Sequence, residues 1–180
     1  MASPYLVPVF QLLHDVPSRR AVDFRAPFDA EHEFEPRPMS ESDVPLDSEV
    51  DVALCLDSHF GGITARGSIR SPWRGLCRRC SVPILGELEV EVNERFVENP
   101  EPDDDEAYPI SGDFLNLLQL VHDSVLLELP TAPLCRADCQ GLCPICGIDL
   151  NDSRCDCLAE RDARWATLDA LRLEDESSSD

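Results

Sequence analysis

Cys143-Pro-Ile-Cys146-Gly is a stretch suited to reversing the chain so that two sulfurs, and the backbone amides behind them, face one ion. It lies within Cys135–Cys157, CRADCQGLCPICGIDLNDSRCDC, which holds six of the nine cysteines. Cys135 and Cys139 precede the knuckle and Cys155 and Cys157 follow it, all at metal-ligand spacings for which zinc is the default occupant. A structural zinc takes four protein ligands, so six sulfurs are too many for one ion and too few for two. Cys77-Arg-Arg-Cys80, far upstream, raises the count to eight. One partition then gathers Cys143, Cys146, Cys155 and Cys157, which a short loop joins at little entropic cost, and leaves Cys77 and Cys80 to join Cys135 and Cys139. The other has a single ion held by four of Cys139, Cys143, Cys146, Cys155 and Cys157, with Cys77 and Cys80 a reduced pair. Structural Zn²⁺, one or two ions, is the expected cofactor.

Other thiol chemistry fits less well. A redox CxxC needs a βαβ setting with a helix starting after the first cysteine, and neither CxxC has one. A catalytic zinc keeps an open position and usually takes His, Asp or Glu; the nearest histidine, His122, falls mid-helix and reads as a surface or boundary residue. Neither common ferredoxin spacing is present. Cys55, alone in an apolar run, reads as a small buried hydrophobe. Asp103, Asp104 and Asp105 are consecutive in a proline-flanked loop and share no face on which to hold Mg²⁺. No catalytic residues are assigned, and the chain is expected not to be an enzyme.

Charge bears on the partner. The 36 acidic residues outnumber the 15 basic ones, every one an arginine, for a net charge of −21. A field of that sign repels nucleic-acid backbones at long range. Against it, no Asp or Glu falls between Asp57 and Glu87, where Arg66, Arg70, Arg74, Arg78 and Arg79 cluster around Trp73. These six residues could contact RNA, the indole stacking on bases and the guanidinium groups gripping phosphates. Alternatively, the arginines answer the carboxylates of Glu87, Glu89 and Glu91 and offset the thiolates.

The elements that must position these groups follow from periodicity. Val52, Leu54 and Leu56 alternate with polar residues, as do Ile63–Ile69 and Val82–Val92, with Phe96 extending the last; together they read as an antiparallel meander. A helix runs from an Asp113 N-cap to Leu129-Pro130, and a second, charged helix over Leu158–Leu173 docks through Trp165, Leu168 and Leu171 or Leu173. The fold class is α+β: an antiparallel β-meander with one or two packed helices and a C-terminal Cys-rich zinc-binding module. Residues 1–27 read as an N-terminal strand and exposed arm, 28–48 as an acidic Pro-rich linker or loop, 49–173 as the core with its cysteine cluster, and 174–180 as a disordered acidic tail. No apolar run approaches the ~20 residues of a membrane span and the N-terminus lacks secretory-signal features. Paired thiols suit a reducing compartment, so the expected location is cytoplasmic, away from membranes.

The Cys-Gln-Gly-Leu-Cys-Pro-Ile-Cys-Gly-Ile-Asp-Leu-Asn string, followed by Cys-Asp-Cys and preceded by Cys-Arg-Arg-Cys, resembles the YceD family over roughly residues 50–170. The resemblance implies a role in the accumulation of large-subunit (23S) ribosomal RNA in bacteria and chloroplasts, with genes that neighbour one for a large-subunit ribosomal protein. The eight cysteines match the family's cluster; the strong acidity and the 28–48 insertion are this chain's own. The expected activity is non-enzymatic ribosome biogenesis, with precursor large-subunit rRNA or a basic ribosomal protein as partner and no small-molecule substrate. A zinc-dependent RNA-processing enzyme and a thiol redox sensor are the remaining alternatives.

Overall fold

A computed structural model describes residues 3–28, 42–45, 48–98, 100, 107–158 and 164. Its centre is the meander β4 (Glu49–His59), β5 (Gly62–Leu76) and β6 (Pro83–Val97), each strand antiparallel to the next. Period-2 alternation sends Val50, Val52, Leu54 and Leu56, then Ile63, Ala65 and Ile69, then Val90, Val92 and Phe96 to one face, where all are buried. Each large apolar side chain so buried contributes roughly 1.5–3 kcal/mol. The ion pairs on the other face, such as Arg70–Glu89 and Arg25–Asp51, join half-exposed side chains and contribute at most about 1 kcal/mol each. Burial on the inner face therefore holds the sheet. Gly67 in mid-β5 has φ +150°, and a Cβ there would lie 2.1 Å from the Ala53 carbonyl oxygen, so β4 can pair closely only past a glycine.

The sheet extends beyond the meander. Arg19–Pro27, read from sequence as an exposed arm, is strand β2, paired along its length with β4. It follows β1 (Leu6–Pro8) and a short helix α1 (Phe10–His14). Ser42–Asp43, inside the segment read as a linker, is β3 and pairs with β5; most of that segment lies outside the described residues. On the far side, β7 (Ala107–Ser111) runs parallel to the end of β6 and antiparallel to β8 (Phe114–Asn116), which pairs with β1. The sheet is thus mixed, not wholly antiparallel.

Helix α2 (Leu118–Glu128) buries Leu118, Leu120, Val121 and Val125 against the inner face. It starts later than the Asp113 expectation because Leu115 is taken up by β8, and the Asn116 side-chain oxygen, not Asp113, accepts the Leu118 N–H at 2.9 Å. His122 is buried: its ring stacks on Phe28 at 4.4 Å between centroids and its Nε2 bonds the Phe28 carbonyl. Cys55 points to the outward face and is half-buried. The expected helix over 158–173 and the tail 174–180 fall almost wholly outside the described residues. Among the described residues no helix is long and apolar enough to cross a membrane.

Candidate metal centres

The β5–β6 connection is the first knuckle. The Cys77 N–H donates to the Val82 carbonyl and the Ser81 N–H to the Cys77 carbonyl, both at 2.8 Å, which closes the turn around Cys77-Arg-Arg-Cys80. Past α2 the chain returns beside it, and the Arg78 N–H reaches the Pro133 carbonyl at 2.9 Å. Cys77 Sγ then lies 3.8 Å from Cys139 Sγ, and Cys80 Sγ 3.6 Å from Cys135 Sγ, across 62 and 55 residues of sequence. Cys77, Cys80 and Cys139 are buried, with Ile84 packed on them, and Cys135 is exposed.

The second knuckle is local. The Cys143 N–H donates to the Ile148 carbonyl, the Gly147 N–H to the Cys143 carbonyl and the Leu150 N–H to the Gly141 carbonyl, each at 2.9 Å. Here Cys143 meets Cys146, Cys155 and Cys157; Cys143 is buried, Cys155 half-buried, and Cys146 and Cys157 are exposed.

In both groups the four sulfurs lie within 4.8 Å of one another. Zinc–sulfur bonds of about 2.3 Å at tetrahedral angles separate ligand sulfurs by about 3.8 Å. The donor sets therefore fit a tetrahedral thiolate-binding ion. The electrostatics agree. Backbone N–H groups, that of Cys135 foremost with Cys80 and Arg79 behind it, pull the Cys77 thiol down to about 6 despite burial. Those of Cys146 and Ile145 do the same for Cys143, also to about 6. Desolvation and the neighbouring sulfurs of Cys139 and Cys80 push Cys135 up to about 12, while the Cys146 thiol and then desolvation push Cys157 up to about 12. Each group thus prepares one thiolate and resists the next, a deficit that a bound cation makes good.

Two residues tie the knuckles together, and neither was picked out as functional by cysteine spacing. Arg79 donates from Nη1 to the Cys139 carbonyl at 2.8 Å and accepts the Leu142 N–H on its own carbonyl at 3.0 Å. A Cβ on Gly141 (φ +77°) would come within 2.9 Å of that Arg79 oxygen, which explains the glycine between the pairs. Asn151 accepts the Gln140 N–H and an Arg136 N–H at 2.8 Å, and its Nδ2 donates to Cys139 Sγ at 3.5 Å and to Asp149. It is a side chain of the second knuckle that hydrogen-bonds a ligand sulfur of the first. The signal for it was the Leu-Asn closing the GLCPICGIDLN string.

The arginine cluster is divided. Arg66, Arg70 and Arg74 point outward, Arg66 to Asn93 at 3.1 Å, Arg70 to Glu89 at 2.9 Å, and Arg74 to both oxygens of Asp43 at 2.7 and 3.0 Å. Trp73 has the parity of the inner row of β5, with its indole over Gly86, where a Cβ would meet Nε1 at 2.6 Å. Arg79 is committed to Cys139, and Arg78 is exposed at the turn. Trp73 therefore lies on the face opposite Arg66, Arg70 and Arg74.

The comparisons agree with the sequence motifs. Residues 65–172 match the family model described as "Large ribosomal RNA subunit accumulation protein YceD". The chain is similar to uncharacterized proteins of Mycobacterium tuberculosis (strain H37Rv) and Mycobacterium bovis, 34% identical over 124 residues that cover 66% of this chain and 60% of each of theirs. A Mycobacterium leprae protein, also uncharacterized, is 29% identical over 106 residues, 56% of this chain and 49% of its own length. The chain thus spans about three fifths of the first relatives' length. No solved structure matches it. This chain belongs to the YceD family.

Proposed function

With membership of the YceD family as the premise, we propose that the chain is a non-enzymatic ribosome-biogenesis factor of the cytoplasm that supports accumulation of large-subunit ribosomal RNA. Two structural zinc ions, one per four-cysteine group, serve it: the first holds the C-terminal module on the sheet and the second orders the loop within that module. The observation that carries the structural role is the composition of the two groups: four protein sulfurs apiece satisfy a tetrahedral ion and reserve no position for substrate or water. When bound, each ion supplies charge compensation and crosslinking; the chain's part is to aim the sulfurs through its knuckle hydrogen bonds. The same closed donor sets disfavour a zinc hydrolase.

The partner reading that the surface favours is a basic large-subunit ribosomal protein, whose supply then sustains the RNA. The outward arginines of β5 are engaged by Asp43, Asp57 and Glu89, and the net charge of −21 attracts a cationic protein while repelling phosphate. Direct binding of precursor rRNA through Arg78 and its neighbours is the second reading. A pull-down of the tagged chain at moderate salt, with and without nuclease, separates the two. Association with large-subunit precursor components that survives nuclease supports the protein partner, nuclease-labile association supports RNA, and loss of every such association overturns the role.

A further inference from the structure

The long strand β6 is paired on only part of one side. On the side away from β5, β7 takes up Arg95–Val97 alone, so among the described residues no strand pairs with Pro83–Glu94 on that edge. None of the backbone bonds between elements reaches this edge either, among the described residues. An open edge presents alternating N–H and C=O groups to any extended chain that arrives.

The side chains along it are specific in kind. Glu87, Glu89 and Glu91 recur at every second position on the outward face, all exposed, and among the described residues only Glu89 has an ion-pair partner. On the inward face Ile84 and Leu88 are half-buried, so an added strand would extend the apolar layer. We propose that the free edge of β6, Pro83–Glu94, is a docking site for an extended basic polypeptide segment, which adds a strand to the sheet with Arg or Lys opposite the glutamates and apolar residues beside Ile84 and Leu88.

Charge chooses among occupants. A second copy pairing edge to edge would set one glutamate row against another, and like charges opposed across strands destabilise. RNA would bring phosphates to the same row. A cationic strand meets complementary charge on one face, apolar surface on the other and main-chain donors and acceptors between, which is the strand-addition mode of peptide recognition. Ile84 packs on Cys77, Cys80 and Cys139, so the start of the edge is framed by the first metal centre. The inference rests on the reading of a basic protein partner and gives that partner its site.

The test uses the zinc-loaded full chain and a blocked synthetic peptide that alternates arginine with valine or threonine, matched in length to the edge. Amide hydrogen exchange is expected to show new protection within Pro83–Glu94. A chain carrying Glu87→Arg and Glu91→Arg, with zinc content and melting temperature checked against the parent, is expected to bind the peptide about tenfold or more weaker and to gain affinity for the corresponding aspartate peptide, as reversed cross-strand charge pairs require. Protection elsewhere, binding indifferent to the reversal, or an oligouridine strand occupying the same amides would overturn the proposal. If the reversed chain keeps its nuclease-resistant association with large-subunit precursors, the edge is wrong and the partner reading stands; if the parent itself shows no such association, that reading fails first.

Discussion

The two four-cysteine groups share one donor chemistry and differ in what they join. The first closes separations of 55 and 62 residues and is mostly buried at the end of the β5–β6 hairpin. The second draws all its sulfurs from Cys143–Cys157 and leaves Cys146 and Cys157 exposed. A crosslink contributes more to the whole fold the longer the loop it closes. On the proposal of one ion per group, the first is a staple between sheet and module and the second organises a loop.

The widest gap between them should appear on removing each. Cys77→Ser with Cys80→Ser is expected to lose one zinc per chain and about 4 kcal/mol of global stability, the scale for a crosslink over such a separation; an unshifted chemical denaturation midpoint would break the comparison. Asn151→Ala, which deletes the hydrogen bond from the second knuckle to Cys139 Sγ, should weaken zinc at the first group about 10–100-fold, as loss of a ligand's outer partner does, read by competition with a chromogenic chelator. Loss confined to the second group would mean that the bridge does not cross. Cys155→Ser with Cys157→Ser should also cost one zinc, yet leave the sheet within about 0.5 kcal/mol of the parent and raise amide exchange only around residues 143–152.

A finer contrast lies within each group. In gently demetallated chain the ultraviolet absorbance of thiolate should rise as pH passes up through about 6, since Cys77 and Cys143 are both lowered to about 6, while Cys135 and Cys157, pushed up to about 12, stay protonated at pH 7. Because the folded values of Cys77 and Cys143 are depressed, their contribution to the metal-free fold is present above the ordinary thiol range and is lost as pH falls through about 6. Loss of that absorbance step in the Cys77→Ser and Cys143→Ser chains assigns it, and a titration with no thiolate below the ordinary thiol range would show that the backbone amides do not select one.

What was legible follows the same division between local and distant causes. The inner rows of β4, β5 and β6 could be read because burial alternates with sequence, and ligand counting led to Cys77 and Cys80 because four-coordination does not depend on where a thiol sits in the chain. Strand β2 carries a weaker form of the same alternation, with Val22, Phe24 and Ala26 packed on the core, but only Ala26 is fully buried and the run is short and bounded by prolines, so its pairing with β4 was not legible locally. His122 faces inward because Phe28, far away in sequence, provides its stacking partner. The arginine cluster was legible in one of its two readings: Arg70 answers Glu89 across the strands, while strand parity sets Trp73 on the face opposite Arg70 and Arg74.

The claim beneath all of this is that the chain is closed by two ions of unlike role. Zinc per chain, measured on protein purified without added metal, tests it most directly. Two equivalents are expected for the parent and one for each double-serine chain, whereas a single equivalent in the parent, unchanged by Cys77→Ser with Cys80→Ser, would contradict the account.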